Sequence, residues 1–151
     1  MATIPDLLAR VEANGHKVWS NGPQDSRAIA VLESTLGVRL PPSYRGFLAT
    51  YGGMAIYDSI VSGILDEDPL KLVGGSLYGD TKRFREEWGL PEYLLVIQPN
   101  EDAPYCFDTR RSDMHGEFPV ICYELHSRHE QTIAAGFDEW MRSFFLHWAD
   151  G

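Results

Sequence analysis

Apolar residues recur at helical spacing in five stretches of the chain, and each stretch is bounded by residues that start or stop helices. The clearest is the last, where large aromatic and aliphatic side chains recur between Phe137 and Trp148 after Gly136. The spacing predicts helices from Thr3 to Asn14, from Pro23 to Leu36, from Pro42 to Tyr51, from a cap at Asp80 to Gly89, and after Gly136.

Between these helices the pattern changes to short, strand-like runs. The last run is apolar on both of its sides, which indicates a central strand covered on both faces. Because no regular alternation of strand and helix is present, we expect an α+β fold over residues 1–151 as one domain, with one largely antiparallel mixed sheet of about five to six strands covered by helices. The predicted strands span residues 59–64, 93–97, 105–107 and 118–125, with a weaker segment at 70–73.

The composition is that of an ordinary globular protein, with 44% hydrophobic and 23% charged residues. No apolar run approaches the roughly 18 residues that cross a bilayer, and the first residues lack the charged and apolar regions of a signal peptide. Cys106 and Cys122 do not stand in a metal-binding spacing. We therefore expect a cytoplasmic protein with two reduced thiols and no membrane association.

Charge is distributed unevenly along the chain, whose net charge is −9. Residues 1–50 hold four acids and five bases, whereas residues 51–151 hold 18 acids and eight bases. Six acids and no Lys or Arg lie between Arg85 and Arg110, and a second acidic group is Asp66, Glu67 and Asp68. Such a surface disfavours nucleic acid and favours a basic partner, although an acid excess also serves solubility alone.

Motifs for catalysis are absent from the sequence. No G-x-S-x-G nucleophile motif occurs, and the glycine-rich stretch 74–79 lacks the lysine of a phosphate-binding loop, so it indicates a turn. His126 and His129 follow a strand at a spacing typical of a polar hairpin end, with a metal site or small-ligand site as the alternative. The sequence predicts no enzyme activity and no cofactor.

The stretch from Glu33 to Gly53, with Pro104–Thr109 further on, resembles the SUKH superfamily of Smi/Knr-like proteins. That family's pattern is a helix ending in E-x-x-L-G, then L-P, an aromatic, F-L and N-G-G, and later a strand of the form y-x-f-D. Tyr51 stands where the family often has Asn, and Gly136 where a Ser commonly caps the last helix. The matching motif residues, expected to be structural, are Glu33, Gly37, Leu40, Pro41, Tyr44, Phe47, Gly52, Gly53 and Asp108.

The resemblance implies a function in protein–protein binding. Bacterial members of this group are commonly immunity proteins that neutralise a cognate toxin domain, often a nuclease, and yeast members are regulators of cell-wall assembly. We expect a monomer or weak dimer that binds a basic, nuclease-like toxin, with a regulatory or scaffolding module as the alternative. The residues predicted to bind the partner are Asp66, Glu67, Asp68, Glu92, Glu101 and Asp102.

Overall fold

The computed structural model describes residues 3–150, which form an α+β fold of helices and two antiparallel sheets. The helices are α1 (Ile4–Ala13), α2 (Ser26–Leu36), α3 (Pro42–Thr50), α4 (Leu77–Trp88) and α5 (Phe137–Ala149). The strands are β1 (Val18–Ser20), β2 (Met54–Ile56), β3 (Ser59–Val61), β4 (Leu94–Gln98), β5 (Tyr105–Asp108), β6 (Val120–Tyr123) and β7 (Glu130–Ala134).

The prediction of one mixed sheet was wrong, because the strands form two separate antiparallel sheets. Strands pair in the order β1-β2-β3 in one sheet and β4-β5-β6-β7 in the other. The two sheets meet where the backbone N–H of Ser62 donates to the carbonyl oxygen of Ile97 at 2.8 Å. The prediction missed β1, β2 and β7, and the segment at 70–73 is not a strand. Since β1 and β2 have only three residues each and β7 is mostly polar, none shows a readable alternation.

Helices α1, α2 and α4 each begin where a side chain accepts from a free backbone N–H group. At α1, which starts where predicted, Thr3 and Asp6 form a capping box. Helix α2 begins three residues later than predicted, since the Asp25 carboxylate accepts from the backbone N–H of Ala28 at 2.8 Å. Helix α4 begins at Leu77 with Ser76 as its cap, so Asp80 lies inside the helix and does not start it.

The four-stranded sheet separates two hydrophobic clusters. On one face, Leu95, Ile97 and Phe107 pack into a large core with the buried sides of α1, α2, α3 and α5. On the other face, alternate sheet residues pack against Phe84 of α4 in a smaller cluster. Strand β6 lies between β5 and β7 and contributes to both clusters, which confirms the prediction that it is a central, covered strand.

Helices α1 and α5 pack side by side, although they lie at opposite ends of the chain. Arg10 forms an ion pair with Asp150, and the Asn14 side chain donates to the carbonyl oxygen of Ala149. Buried Leu7 and Val11 belong to the same core as residues of α5. This pair of helices closes the large core on its outer side.

Candidate functional site

Tyr44 is the centre of the motif helix α3, and it is fully buried. Its ring packs against Phe107 of β5 and Phe137 of α5 at centroid distances of 5.2 and 5.0 Å. Its hydroxyl donates to the carbonyl oxygen of Ser62 at 2.6 Å, and burial raises the pKa of Tyr44 far above its usual value. The helix is thus held to both sheets by one side chain that stays neutral and donates a hydrogen bond.

The glycines after α3 allow two stretches of backbone to approach closely. Gly52 and Gly53 have positive φ angles of 74° and 148°, which a side chain would strain. Gly63 crosses directly over them, and a Cβ atom on Gly63 would lie 2.0 Å from the carbonyl oxygen of Gly52. That oxygen accepts from the backbone N–H of Ile64 at 2.6 Å. The motif glycines therefore join the end of α3 to the strand region that follows β3.

A buried polar network extends from this crossing. Asp80 is 1% exposed, and its Oδ2 accepts from the Ser62 hydroxyl at 2.7 Å and from the backbone N–H of Gly75 at 3.0 Å. Its Oδ1 is buried without a hydrogen bond from the described residues, and the guanidinium of Arg83 is 4.0 Å away. Burial raises the pKa of Asp80 against the opposing effects of those hydrogen bonds and of Arg83. The glycine-rich turn is thereby fixed to the protein interior by a carboxylate.

Glu33 and Asp108, the two acids of the motif, also bind backbone and side-chain donors within the fold. The Glu33 carboxylate accepts from the backbone N–H of Leu40 at 2.7 Å, which fixes the turn between α2 and α3 at Gly37. Asp108 is fully buried and accepts from the guanidinium of Arg110 and from that of Arg111. Burial alone would raise the pKa of Asp108, but these hydrogen bonds outweigh it and lower the pKa. Both carboxylates are placed to stabilise the fold.

The six acids predicted to bind a partner are all exposed. They occupy three connections: the loop between β3 and α4, the turn from α4 to β4, and the loop from β4 to β5. Asp66 pairs with Lys71, Glu92 with Arg85 at 3.5 Å, and Asp102 lies 4.0 Å from His126. Within residues 3–150, Glu67, Asp68 and Glu101 have no ion-pair partner.

A family model described as SMI1-KNR4 cell-wall, SUKH_5, matches residues 4–146 of the chain. The chain belongs to this family. The match covers every motif residue from Glu33 to Asp108, so the resemblance seen in the sequence is confirmed as family membership. In this SUKH protein, the residues of the motif are buried or bound within the fold, whereas the six acids predicted to bind a partner face the solvent.

The exposed acids of this SUKH protein lie beside features suited to protein binding. Trp88, 37% exposed, packs edge-on against the ring of His126 at 5.3 Å, and Nε2 of His126 lies 4.0 Å from the carboxylate of Asp102. A groove of about 540 Å³ runs between the loop of Glu67 and Asp68 and the start of α2. Val31 and Leu70 provide apolar surface in that groove. Acidic and apolar surface are therefore adjacent at both places.

The sequence offered two other candidate sites, the glycine-rich stretch 74–79 and the pair of His126 and His129. In the glycine-rich stretch, residues 74–75 form the predicted turn, and Gly79 lies inside α4 against the backbone of Lys71 and Val73. His126 and His129 are exposed, and no group of three potential metal ligands occurs among the described residues. No helix within residues 3–150 is long and apolar enough to span a membrane.

Sequence reasoning missed the buried polar residues that surround the motif. Ser62 was predicted as part of a strand and Asp80 as a cap, although together they link the motif helix to α4. Asn21 lies between the first two predicted helices, and its side chain donates to the carbonyl oxygens of Gly52 and Ile64 at 3.3 and 3.0 Å. A Ser three residues before Gly79 was the available signal for the earlier start of α4.

Proposed function

We propose that this SUKH protein is a non-catalytic immunity protein that binds and neutralises a basic toxin domain, such as a nuclease, in the cytoplasm. The observation that carries the proposal is the exposure of all six acids, with Glu67 and Glu101 free of ion pairs among the described residues. A net charge of −9 supports the same interpretation. Members of the family are generally non-catalytic.

An acidic surface contributes to such binding chiefly through association rate and partner choice. Complementary potentials steer a basic partner to the surface, and this effect weakens as salt screens the charges. The ion pairs of Asp66, Glu92 and Asp102 with their neighbours involve exposed side chains and are worth little, so a partner's cations can replace them at small cost. Trp88 and the groove beside Glu67 add apolar surface, which binding needs besides charge.

The test compares capture of partners from a lysate of the source organism by tagged wild-type protein and by charge-reversed variants. Glu101→Lys and Glu67→Lys reverse unpaired exposed acids of the proposed surface. Glu12→Lys on α1 is the matched control, because Glu12 is also exposed and without an ion pair among the described residues. Captured proteins are identified by mass spectrometry, and each candidate toxin domain is then co-expressed with the variants in a growth assay.

The proposal expects a stoichiometric basic partner that is released by moderate salt and whose toxicity is suppressed by the wild type and by Glu12→Lys. Each reversal is expected to weaken binding about tenfold, which corresponds to about 1.4 kcal/mol. Full protection by both surface reversals would show that the acids play no part. If the captured partner is not toxic when it is expressed, the proposed immunity function is wrong.

The alternative is a regulatory or scaffolding module, which the family description as SMI1-KNR4 cell-wall favours. In that case the captured proteins would be several wall-synthesis or signalling proteins and would not include a single toxin. The growth assay separates the two functions, because only an immunity protein rescues cells that express the captured domain.

A further inference from the structure

A second surface feature, separate from the six acids, is a groove of about 360 Å³ between α5 and the ends of β4 and β5. Its volume lies in the range of small-molecule sites. Aromatic rings line it together with amides, hydroxyls and one imidazole: the lining includes Gln98, Asn100, Tyr105, Trp140, His147 and Trp148. Among the described residues that line it, none is an Asp, Glu, Lys or Arg, although the chain carries a net charge of −9.

A bulge in β4 turns Gln98 toward this groove. The register between β4 and β5 shifts after Val96, so that Gln98 pairs with Tyr105 while Ile97 has no paired residue. Paired residues on neighbouring strands point to the same face of a sheet. Tyr105 contacts Trp140 of α5 at a ring-centroid distance of 5.7 Å, so Gln98 also faces α5. The irregular register therefore places a carboxamide on a face that is otherwise apolar.

The carboxamide of Gln98 has no hydrogen-bond partner among residues 3–150, although only 7% of the residue is exposed. Its polar atoms are not among the fully buried, unpaired side-chain atoms of the described residues, which are Oδ1 of Asp80 and Nε of Arg85, so the amide end of Gln98 is accessible from the groove. Gln24 is also 7% exposed, but its Nε2 donates to the carbonyl oxygen of Gly22 at 3.1 Å. One buried glutamine is thus satisfied within the fold, and the other opens toward a groove.

We propose that this groove binds a neutral carbohydrate. A sugar ring has an apolar C–H face that packs on an indole such as Trp148, and hydroxyls that both donate and accept hydrogen bonds. The carboxamides of Gln98 and Asn100 each offer a donor and an acceptor, which matches hydroxyl groups. A proline-rich peptide, the other ligand of aromatic grooves, offers carbonyl acceptors and no N–H at proline, and so matches these amides less well. The absence of Asp, Glu, Lys and Arg among the described lining residues agrees with an uncharged ligand.

Isothermal titration calorimetry and tryptophan fluorescence test this with maltohexaose, cellohexaose, chitohexaose and decaproline as probes. Gln98→Met removes the carboxamide and nearly keeps the side-chain volume. Gln24→Met is the matched control at equal burial. Thermal unfolding of both variants is measured alongside, because only Gln24→Met removes a hydrogen bond of the fold.

We expect saturable binding of at least one hexasaccharide, weakened at least tenfold in Gln98→Met and unchanged in Gln24→Met. We also expect Gln98→Met to keep the melting temperature, since it removes no hydrogen bond within the described residues, and Gln24→Met to lower it, since it removes the bond to the carbonyl oxygen of Gly22. The proposal is overturned if no hexasaccharide binds at about 10 mM, where even weak complexes register. It is equally overturned if decaproline alone binds, or if Gln98→Met binds sugar as the wild type does. None of these results depends on the toxin proposal.

Discussion

The backbone at Gly63 lies so close to that of Gly52 that any side chain at position 63 should destabilise the fold. A Cβ on Gly63 would lie 2.0 Å from the Gly52 carbonyl oxygen, 2.8 Å from its carbonyl carbon and 2.9 Å from the Cα of Gly53. These are backbone atoms, so no flexible side chain can move aside. Gly63 does not have a positive φ, and the clash is therefore purely steric.

Relief of that clash requires the two backbone segments to separate. Separation would lengthen three hydrogen bonds: Ile64 to Gly52 at 2.6 Å, Gly63 to Gly75 at 2.8 Å and Leu77 to Gly63 at 2.8 Å. Overpacking costs about 1–3 kcal/mol, and weakened buried hydrogen bonds add to it. We expect Gly63→Ala to lower the free energy of unfolding by about 3 kcal/mol or more, which for a chain of this size is roughly 6–12 °C in Tm.

Gly46→Ala is the control, because Gly46 lies in α3 without a positive φ, and a Cβ added there would meet no atom within 4 Å. Alanine favours a helix over glycine by about 1 kcal/mol, so this variant should gain stability. Urea unfolding followed by circular dichroism and fluorescence measures both variants. If Gly63→Ala unfolded within about 0.5 kcal/mol of the wild type, the argument from the backbone crossing would be refuted.

Two further predictions concern the buried polar groups. Tyr44→Phe leaves the carbonyl oxygen of Ser62 unpaired and should cost about 1–3 kcal/mol in urea unfolding, whereas an effect below about 0.5 kcal/mol would contradict a buried hydrogen bond. Burial raises the pKa of Asp80 above its ordinary value of 3.8, so the native state binds this proton more tightly than the unfolded chain does. Protonated Asp80 therefore stabilises the fold at low pH, and this stabilisation is lost as pH rises from 3.8 through the raised pKa. The unfolding free energy of wild type relative to Asp80→Asn should therefore increase as pH is lowered through that window, and a difference that is flat with pH would contradict the burial of the charge.

Local signals explain what could be predicted from the sequence. The capping box at Thr3 and the stop at Gly37 depend on residues a few positions apart, so the helix ends were readable. The exposure of the six acids predicted to bind a partner agrees with the preference of charged side chains for the surface, a preference that buried Asp80 and Asp108 do not follow. In contrast, β1 and β2 are stabilised by pairing with each other across more than thirty residues, and three residues leave no pattern.

The polar interior was harder to predict for a related reason. Asp80 has the same local signature as a helix cap, and only the tertiary contacts with Ser62 and Gly75 distinguish the two roles. The orientation of Gln98 depends on a bulge whose position is set by pairing with β5. Residue type predicts that a glutamine prefers the surface, and a register shift overrides that preference.

The packing of α1 against α5 has a consequence for synthesis and folding. The two helices are separated by more than 120 residues, so their contact requires the closure of a very long chain segment. On the ribosome, the apolar face of α1 is made more than 120 residues before its partner. Until residue 149 has emerged, Leu7 and Val11 lack the surface that covers them, and the nascent chain resembles a folding intermediate with an exposed core. The emergence of α5 is thus the step that completes this core.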